Sequence, residues 1–289
     1  KYYADKIKII PVDLENAKDV CNSTGKVKIS IDFDKVQRKV SFRHNGKAFS
    51  MDNILSLINQ ASSKDRNDGS ERKSGKFGTG FITTHLLSET VNISGILEIN
   101  AEYSRFNISL DRTGRDKKEI IAAMENAVDE LGKCTSIDYW DFDENEYNTI
   151  FEYELDECGM QTAQDGLENL KVSAPFVLAM LPDIKEITIE NTGEKFRHKR
   201  KVECGLKNAT VHEIELEKQG NRCYKYVLGM TEDHVSIFIA LERIANNMKI
   251  VPSSDNQSKL FCDFPLIGTE NFPFPVIISS SEFNPTEPR

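Results

Sequence analysis

Gly75-Lys76-Phe77-Gly78-Thr79-Gly80-Phe81 is a glycine turn that runs into an expected helix, Phe81 to Leu87. Three glycines in six residues remove the Cβ atoms that would keep a backbone away from a polyphosphate. The helix start then turns its unpaired N–H groups, the positive end of its dipole, toward the same place. The spacing therefore describes an anion site. A GxxGxG turn before a helix serves packing about as often as binding, so its meaning depends on its surroundings.

Upstream, residues 61 to 76 are polar, charged and glycine-bearing, which suits either a surface loop or a lid. Ser62, Ser63, Lys64, Arg66, Arg72 and Lys73 put hydroxyls and cations beside the turn, although a charge run is most often only a solvated loop. Earlier still, Leu14 to Cys21 reads as a helix carrying Asn16, whose amide oxygen is a suitable ligand for magnesium beside phosphates and water. Strands are expected at Lys26 to Phe33, where Val27, Ile29, Ile31 and Phe33 alternate with polar residues, and at Lys39 to Phe42. A loop around Asn45-Gly46 then leads to a helix through Ile54, Leu55, Leu57 and Ile58.

Downstream, Val91 to Leu110 reads as two antiparallel strands, and Lys117 to Leu131 as an amphipathic helix with Ile121, Met124, Val128 and Leu131 on its packing face. Strand, helix and strand follow at Tyr147 to Leu155, Leu167 to Leu181 and Ile184 to Glu190. The polar, basic stretch Asn191 to Lys201 is read as a domain boundary. Beyond it come strands at Val211 to Glu217, Cys223 to Gly229 and Val235 to Glu242, and a segment rich in proline and phenylalanine from Leu260 to Arg289.

Taken in order, the Asn-bearing helix, the Asn-Gly loop, Ser-Ser-Lys, the lid, GxxGxG and a later Thr-bearing strand resemble the GHKL (Bergerat-fold) ATPases. Residues 42–49 (FRHNGKAF), 58–64 (INQASSK) and 75–81 (GKFGTGF) look like the sacsin and heat-shock-chaperone branch, and the segment 260–289 is similar to one that follows the ATPase domain in bacterial sacsin-like proteins. Residues 111 to 145 and 200 to 250 add little to the resemblance.

The resemblance implies an α+β fold. A two-layer sandwich over residues 1–195, with a largely antiparallel sheet covered on one face by helices, would bind ATP or ADP with Mg2+. A smaller transducer-like α+β domain would begin at 196–289. By the same resemblance Asn16 is the magnesium ligand, and Gly75, Gly78, Gly80 and Phe81 wrap the phosphates together with Lys76, Phe77 and Thr79, with Lys64 assisting. The family's D-x-G-x-G loop, whose aspartate receives the adenine amino group, reads here His44-Asn45-Gly46-Lys47-Ala48, leaving either the His44 ring or the Asn45 amide oxygen as acceptor. Thr149 matches the threonine near adenine, or is an ordinary strand threonine.

Two departures bear on catalysis. The family glutamate that activates water falls at Val12, which cannot do so, and Asp13 is the nearest carboxylate, one residue off and shorter. Pro11 also moves the helix start later. A basic residue from the second domain reaches the γ-phosphate in related ATPases; Arg289 is the candidate and Lys259 the weaker alternative.

Composition bounds the rest. The 289 residues, 39% hydrophobic and 29% charged, suit two folded units, and no apolar run approaches a membrane span or a signal peptide, so the setting is read as cytoplasmic. A net charge of -9 disfavours a nucleic-acid partner. Six cysteines without a CxxC pair read as buried free thiols. The chain is read as the amino-terminal part of a longer protein with a client or partner and with ATP-driven homodimerisation. Open alternatives are a nucleotide-gated module without turnover, a DNA-processing GHKL protein, and an α/β scaffold without nucleotide.

Overall fold

The computed structural model describes residues 17–59, 84, 87–138, 142–262, 264–266 and 268–283. They fall into two compact units, one within Val12–Gln164 and one within Asp165–Arg289. Residue 195 lies inside a strand.

In the first unit, strands β1 (Val27–Asp34), β2 (Lys39–His44), β3 (Thr90–Ile99), β4 (Glu102–Asp111), β5 (Thr135–Ile137) and β6 (Thr149–Glu154) form an antiparallel sheet in the order β1-β2-β6-β3-β4-β5. Alternation sets the two faces. Ile29, Ile31 and Phe33 on β1, Phe42 on β2, Phe151 and Tyr153 on β6, Ile93 on β3 and Ile108 on β4 are all buried on the inner face, in register across the ladders. The outer face is polar, with Lys39 paired to Glu152 at 2.7 Å and Ser41 donating to the same carboxylate. The β1–β2 turn is closed by the Asp34 carboxylate, which accepts from the N–H groups of Val36 and Gln37.

Helix α1 (Met51–Ile58) starts at a Ser50–Asn53 capping box and buries Ile54 and Ile58, packing on β3. Helix α2 (Lys117–Leu131) is capped by Asp116 and packs on β4. Its packing face differs from the expected one. Ala127 and Leu131 are buried, whereas Ile121 is 43% and Val128 47% exposed. The contact with β4 is thus centred on Ala127 and Leu131 and turned away from Ile121 and Val128.

Helix α3 (Glu157–Met180) begins ten residues before the expected Leu167. The second unit orders its strands β14-β13-β15-β11-β10-β9-β8-β7, with β12 (Asn247–Ile250) on β11; among the described residues of this unit the β13–β15 pair is parallel and the other pairs are antiparallel. They are β7 (Ile184–Ile189), β8 (Glu194–Glu203), β9 (Ala209–Lys218), β10 (Asn221–Glu232), β11 (Val235–Ile244), β13 (Leu260–Cys262), β14 (Phe264–Pro265) and β15 (Ile277–Ser280). The whole is an α+β chain. The polar, basic stretch Asn191 to Lys201 lies largely in strand β8, where glutamates on β7 and β9 pair with several of its cations. The cysteines are free as expected but not buried: Cys134, Cys158 and Cys223 are exposed and the other three partly so.

Phe42 sits between Ile31 and Phe151 in the ladder. Phe42→Ala is expected to cost about 3–5 kcal/mol of stability, read from urea denaturation. A loss below about 1 kcal/mol would contradict this account of the core.

Candidate functional site

β2 ends at His44 and β6 begins at Thr149, and the register sets these two residues directly opposite each other. Both lie on the buried face, His44 4% and Thr149 1% exposed. His44 and Thr149 thus form a small polar pair in a face otherwise made of Ile29, Phe42, Phe151 and Ile93. The imidazole is stacked on Phe151 (centroids 6.2 Å, 26°) and tilted against Phe42 (6.3 Å, 59°). Its Nδ1 accepts the Gly46 N–H at 3.1 Å. Burial lowers its pKa to about 3, so the ring is neutral near pH 7. A neutral imidazole whose Nδ1 accepts carries its proton on Nε2. That N–H has no hydrogen-bond partner among the described residues.

Asn45 has a different task. Its Oδ1 accepts from the Lys28 N–H at 2.6 Å and its Nδ2 donates to the Glu144 carbonyl at 2.7 Å. The side chain therefore ties β1 to the segment before β6, and its amide oxygen is already engaged. Gly46 is needed for close approach, since a Cβ there would lie 2.4 Å from the Val20 carbonyl oxygen, which also accepts from the Lys47 N–H. At the other end of the loop, Phe49 exchanges backbone hydrogen bonds with Ile96 and Glu98. Its ring meets Phe106 edge-on at 5.4 Å, over Gly95, where a Cβ would touch both rings at 2.9 Å. The loop is clamped at both ends.

Asp13, Asn16, Lys64, residues 75 to 81 and Arg289 lie outside the described residues. Ala17, next in the chain to Asn16, is helical and fully buried. Among the described residues no cluster of three or more His, Cys, Asp or Glu is spaced to hold a metal.

In the second unit Lys259 is 7% exposed, and burial lowers its pKa against a smaller opposing pull from Asp255. No carboxylate pairs with its ammonium among the described residues. The Gln257 Oε1 and the Asn169 Oδ1 are buried without hydrogen-bond partners there, and Asn169 Nδ2 donates to the carbonyl of Asn256 at 3.3 Å. Ser258 donates to Glu270. A buried ammonium without a paired carboxylate, and buried amide oxygens without donors, each cost stability. Gln257 and Asn169 escaped the sequence reading; the only local signal was the polar run Asn256-Gln257-Ser258-Lys259 before an apolar strand.

Much of the basic run on β8 is paired with carboxylates of β7 and β9, while Lys201 has no ion pair among the described residues. Arg197 pairs with Glu186, Glu215 and Glu217, Lys199 with Glu215 and Arg200 with Glu213. A 520 Å³ polar cavity beside Arg105, Asn107 and Glu130, and a 330 Å³ cavity between α1, α2 and the end of β4, are lined by none of the predicted residues.

No protein-family model matches the chain, and no curated protein matches it. Among solved structures it is similar to the ATPase region of Saccharomyces cerevisiae topoisomerase II bound to ICRF-187 (dexrazoxane), at 12% identity and TM-score 0.45 over 82% of this chain and 58% of that one. It is similar to the same region in a second structure at 11% and 0.44, with the same coverage. The ATPase and transducer domains of DNA topoisomerase II from Balamuthia mandrillaris match at 14% and 0.46, over 82% and 56%. The chain spans somewhat over half the length of each.

The His44 pKa gives a pH dependence with a definite sign. The unfolded ring binds a proton below about 6.5 and the folded ring only near 3, so stability is unaffected above 6.5 and falls as pH drops between the two, by about 1.4 kcal/mol per unit. His44→Asn should lose that share of the slope between pH 6 and 4 while keeping any share from His212, whose pKa is also lowered, to about 4. Equal slopes in the two proteins would contradict a neutral, buried His44.

Proposed function

We propose that this chain is the magnesium-dependent nucleotide-binding module of a molecular-clamp ATPase of chaperone-like or defence-related kind, with ATP as the ligand its motifs imply. The observation that carries the reading is the His44–Thr149 pair, a buried polar niche at the place where the motif order puts the base. In this reading Asn16 holds Mg2+, and residues 75–81 wrap the phosphates with Lys64 beside them. Residues 1–195 form the nucleotide-binding domain and 196–289 the start of the transducer-like part. Nucleotide state would be passed to a client or partner, or to a second copy by dimerisation, through the rest of a longer protein working in the cytoplasm. No helix among the described residues is long and apolar enough to cross a membrane.

For the γ-phosphate contact Arg289 is the candidate and Lys259 the weaker alternative; Lys259 is a buried cation without a carboxylate partner among the described residues. The second reading, a nucleotide switch with little or no hydrolysis, is favoured by Val12, where Asp13 would have to replace the missing glutamate. A DNA-processing role is less favoured, because the net charge is -9 and several basic side chains of β8 pair with Glu186, Glu213, Glu215 and Glu217.

Calorimetry with nucleoside triphosphate, with and without magnesium, tests the module. Binding should require magnesium and vanish in Gly78→Glu, and phosphate release in the same samples separates enzyme from switch. Undiminished binding by Gly78→Glu would remove the glycine turn from the site. Lys259→Ala should narrow the preference for triphosphate over diphosphate about tenfold, the size expected for one charge-assisted hydrogen bond; an unchanged ratio would exclude Lys259 as the γ-phosphate contact.

A further inference from the structure

A backbone N–H can only donate, so the contact from Gly46 at 3.1 Å obliges the Nδ1 of His44 to be an acceptor. The remaining ring nitrogen, Nε2, then carries the proton. If the ring were instead protonated, both nitrogens would be donors and the Gly46 contact would be lost. In neither state does His44 present an acceptor at Nε2. Turning the ring over to exchange its nitrogens would break the Gly46 bond inside a slot walled by Phe42, Phe151 and Ile29. Thr149, directly opposite, has a hydroxyl that donates or accepts and so does not discriminate.

By the resemblance to the GHKL ATPases, an aspartate at this position would receive the amino group at C6 of adenine. His44 sets a donor against that donor, leaving both unsatisfied in a buried niche. A carbonyl at C6 would instead accept from Nε2.

We propose that His44 makes this a site for a 6-oxopurine nucleoside triphosphate, guanine or hypoxanthine, in preference to 6-amino adenine. The inference rests on the nucleotide-binding reading and changes its base.

The test is calorimetric titration of the intact wild-type chain, in magnesium, with GTP, ITP and ATP. ITP isolates the C6 oxygen from the extra amino group of guanine. GTP and ITP should each bind at least about tenfold more tightly than ATP, the ratio expected when one buried hydrogen bond is made rather than left unmade. His44→Asp, which restores an acceptor, should shift the ratio toward ATP by at least the same factor. ATP binding as tight as or tighter than both oxopurines overturns the inference and leaves the nucleotide reading standing. No binding by any of the three overturns both.

Because an aspartate buried at position 44 risks unfolding the chain, a second measurement needs no variant. Nitrogen-15 NMR of the wild-type imidazole should show the proton on Nε2 and a lone pair on Nδ1. A ring protonated on Nδ1, with Nε2 as acceptor, would overturn the inference.

Discussion

Burial of one face of the sheet of the first unit is the constraint on which the rest depends. Side chains alternate along a strand with period two, so a one-residue slip of β2 would carry Phe42 and His44 to the polar side and bring Ser41 and Arg43 into the core. Phe42 between Ile31 and Phe151, and Ile93 between Phe151 and Ile108, lock that register. Once it is locked, His44 and Thr149 have no choice but to face each other. The candidate base niche is therefore a consequence of how the hydrophobic core is assembled.

The niche is also a cost that the core carries. A histidine and a threonine replace what would otherwise be two more apolar pairs, and the histidine is held uncharged against its ordinary pKa. Its neighbours compensate by rigidity. Asn45 bonds both β1 and the segment before β6, Gly46 lies against the Val20 carbonyl, and Phe49 is seated over Gly95 on β3. Such clamping gives a short loop one geometry, which a polar group needs if it is to discriminate between ligands by hydrogen-bond direction.

The second unit solves a different problem. β9 alternates Glu213, Glu215 and Glu217 on one face with His212, Ile214 and Leu216 on the other, and its middle, Val211 to Glu215, is buried. Burying Glu215 is tolerable only because Arg197 and Lys199 reach it from β8, and they hold its pKa below the usual carboxylate range against the desolvation that pushes it up. Several charges of β8 thus serve as counter-ions to its neighbours, and the polar, basic stretch is part of a ladder with a register shift between His198 and Arg200. Lys259 stands in contrast, buried without such a partner among the described residues.

Local pattern alone determined the strands from Val27 to Leu110, helix α2 and the hairpin positions, because alternation and capping depend only on neighbours in the chain. The motifs pointing to a nucleotide are likewise local patterns of glycine spacing and an expected Asn-bearing helix, and they lie outside the described residues. What only the tertiary structure decided was every property that needs a partner far along the chain. The pairing of His44 with Thr149, the use of the Asn45 amide as a tie between Lys28 and Glu144, the tautomer of His44, the pairing of several β8 cations with glutamates of β7 and β9, and the turning of α2 toward Ala127 and Leu131 all depend on which surface arrives opposite. Periodicity says that a face will be buried; only the packed neighbour says against what.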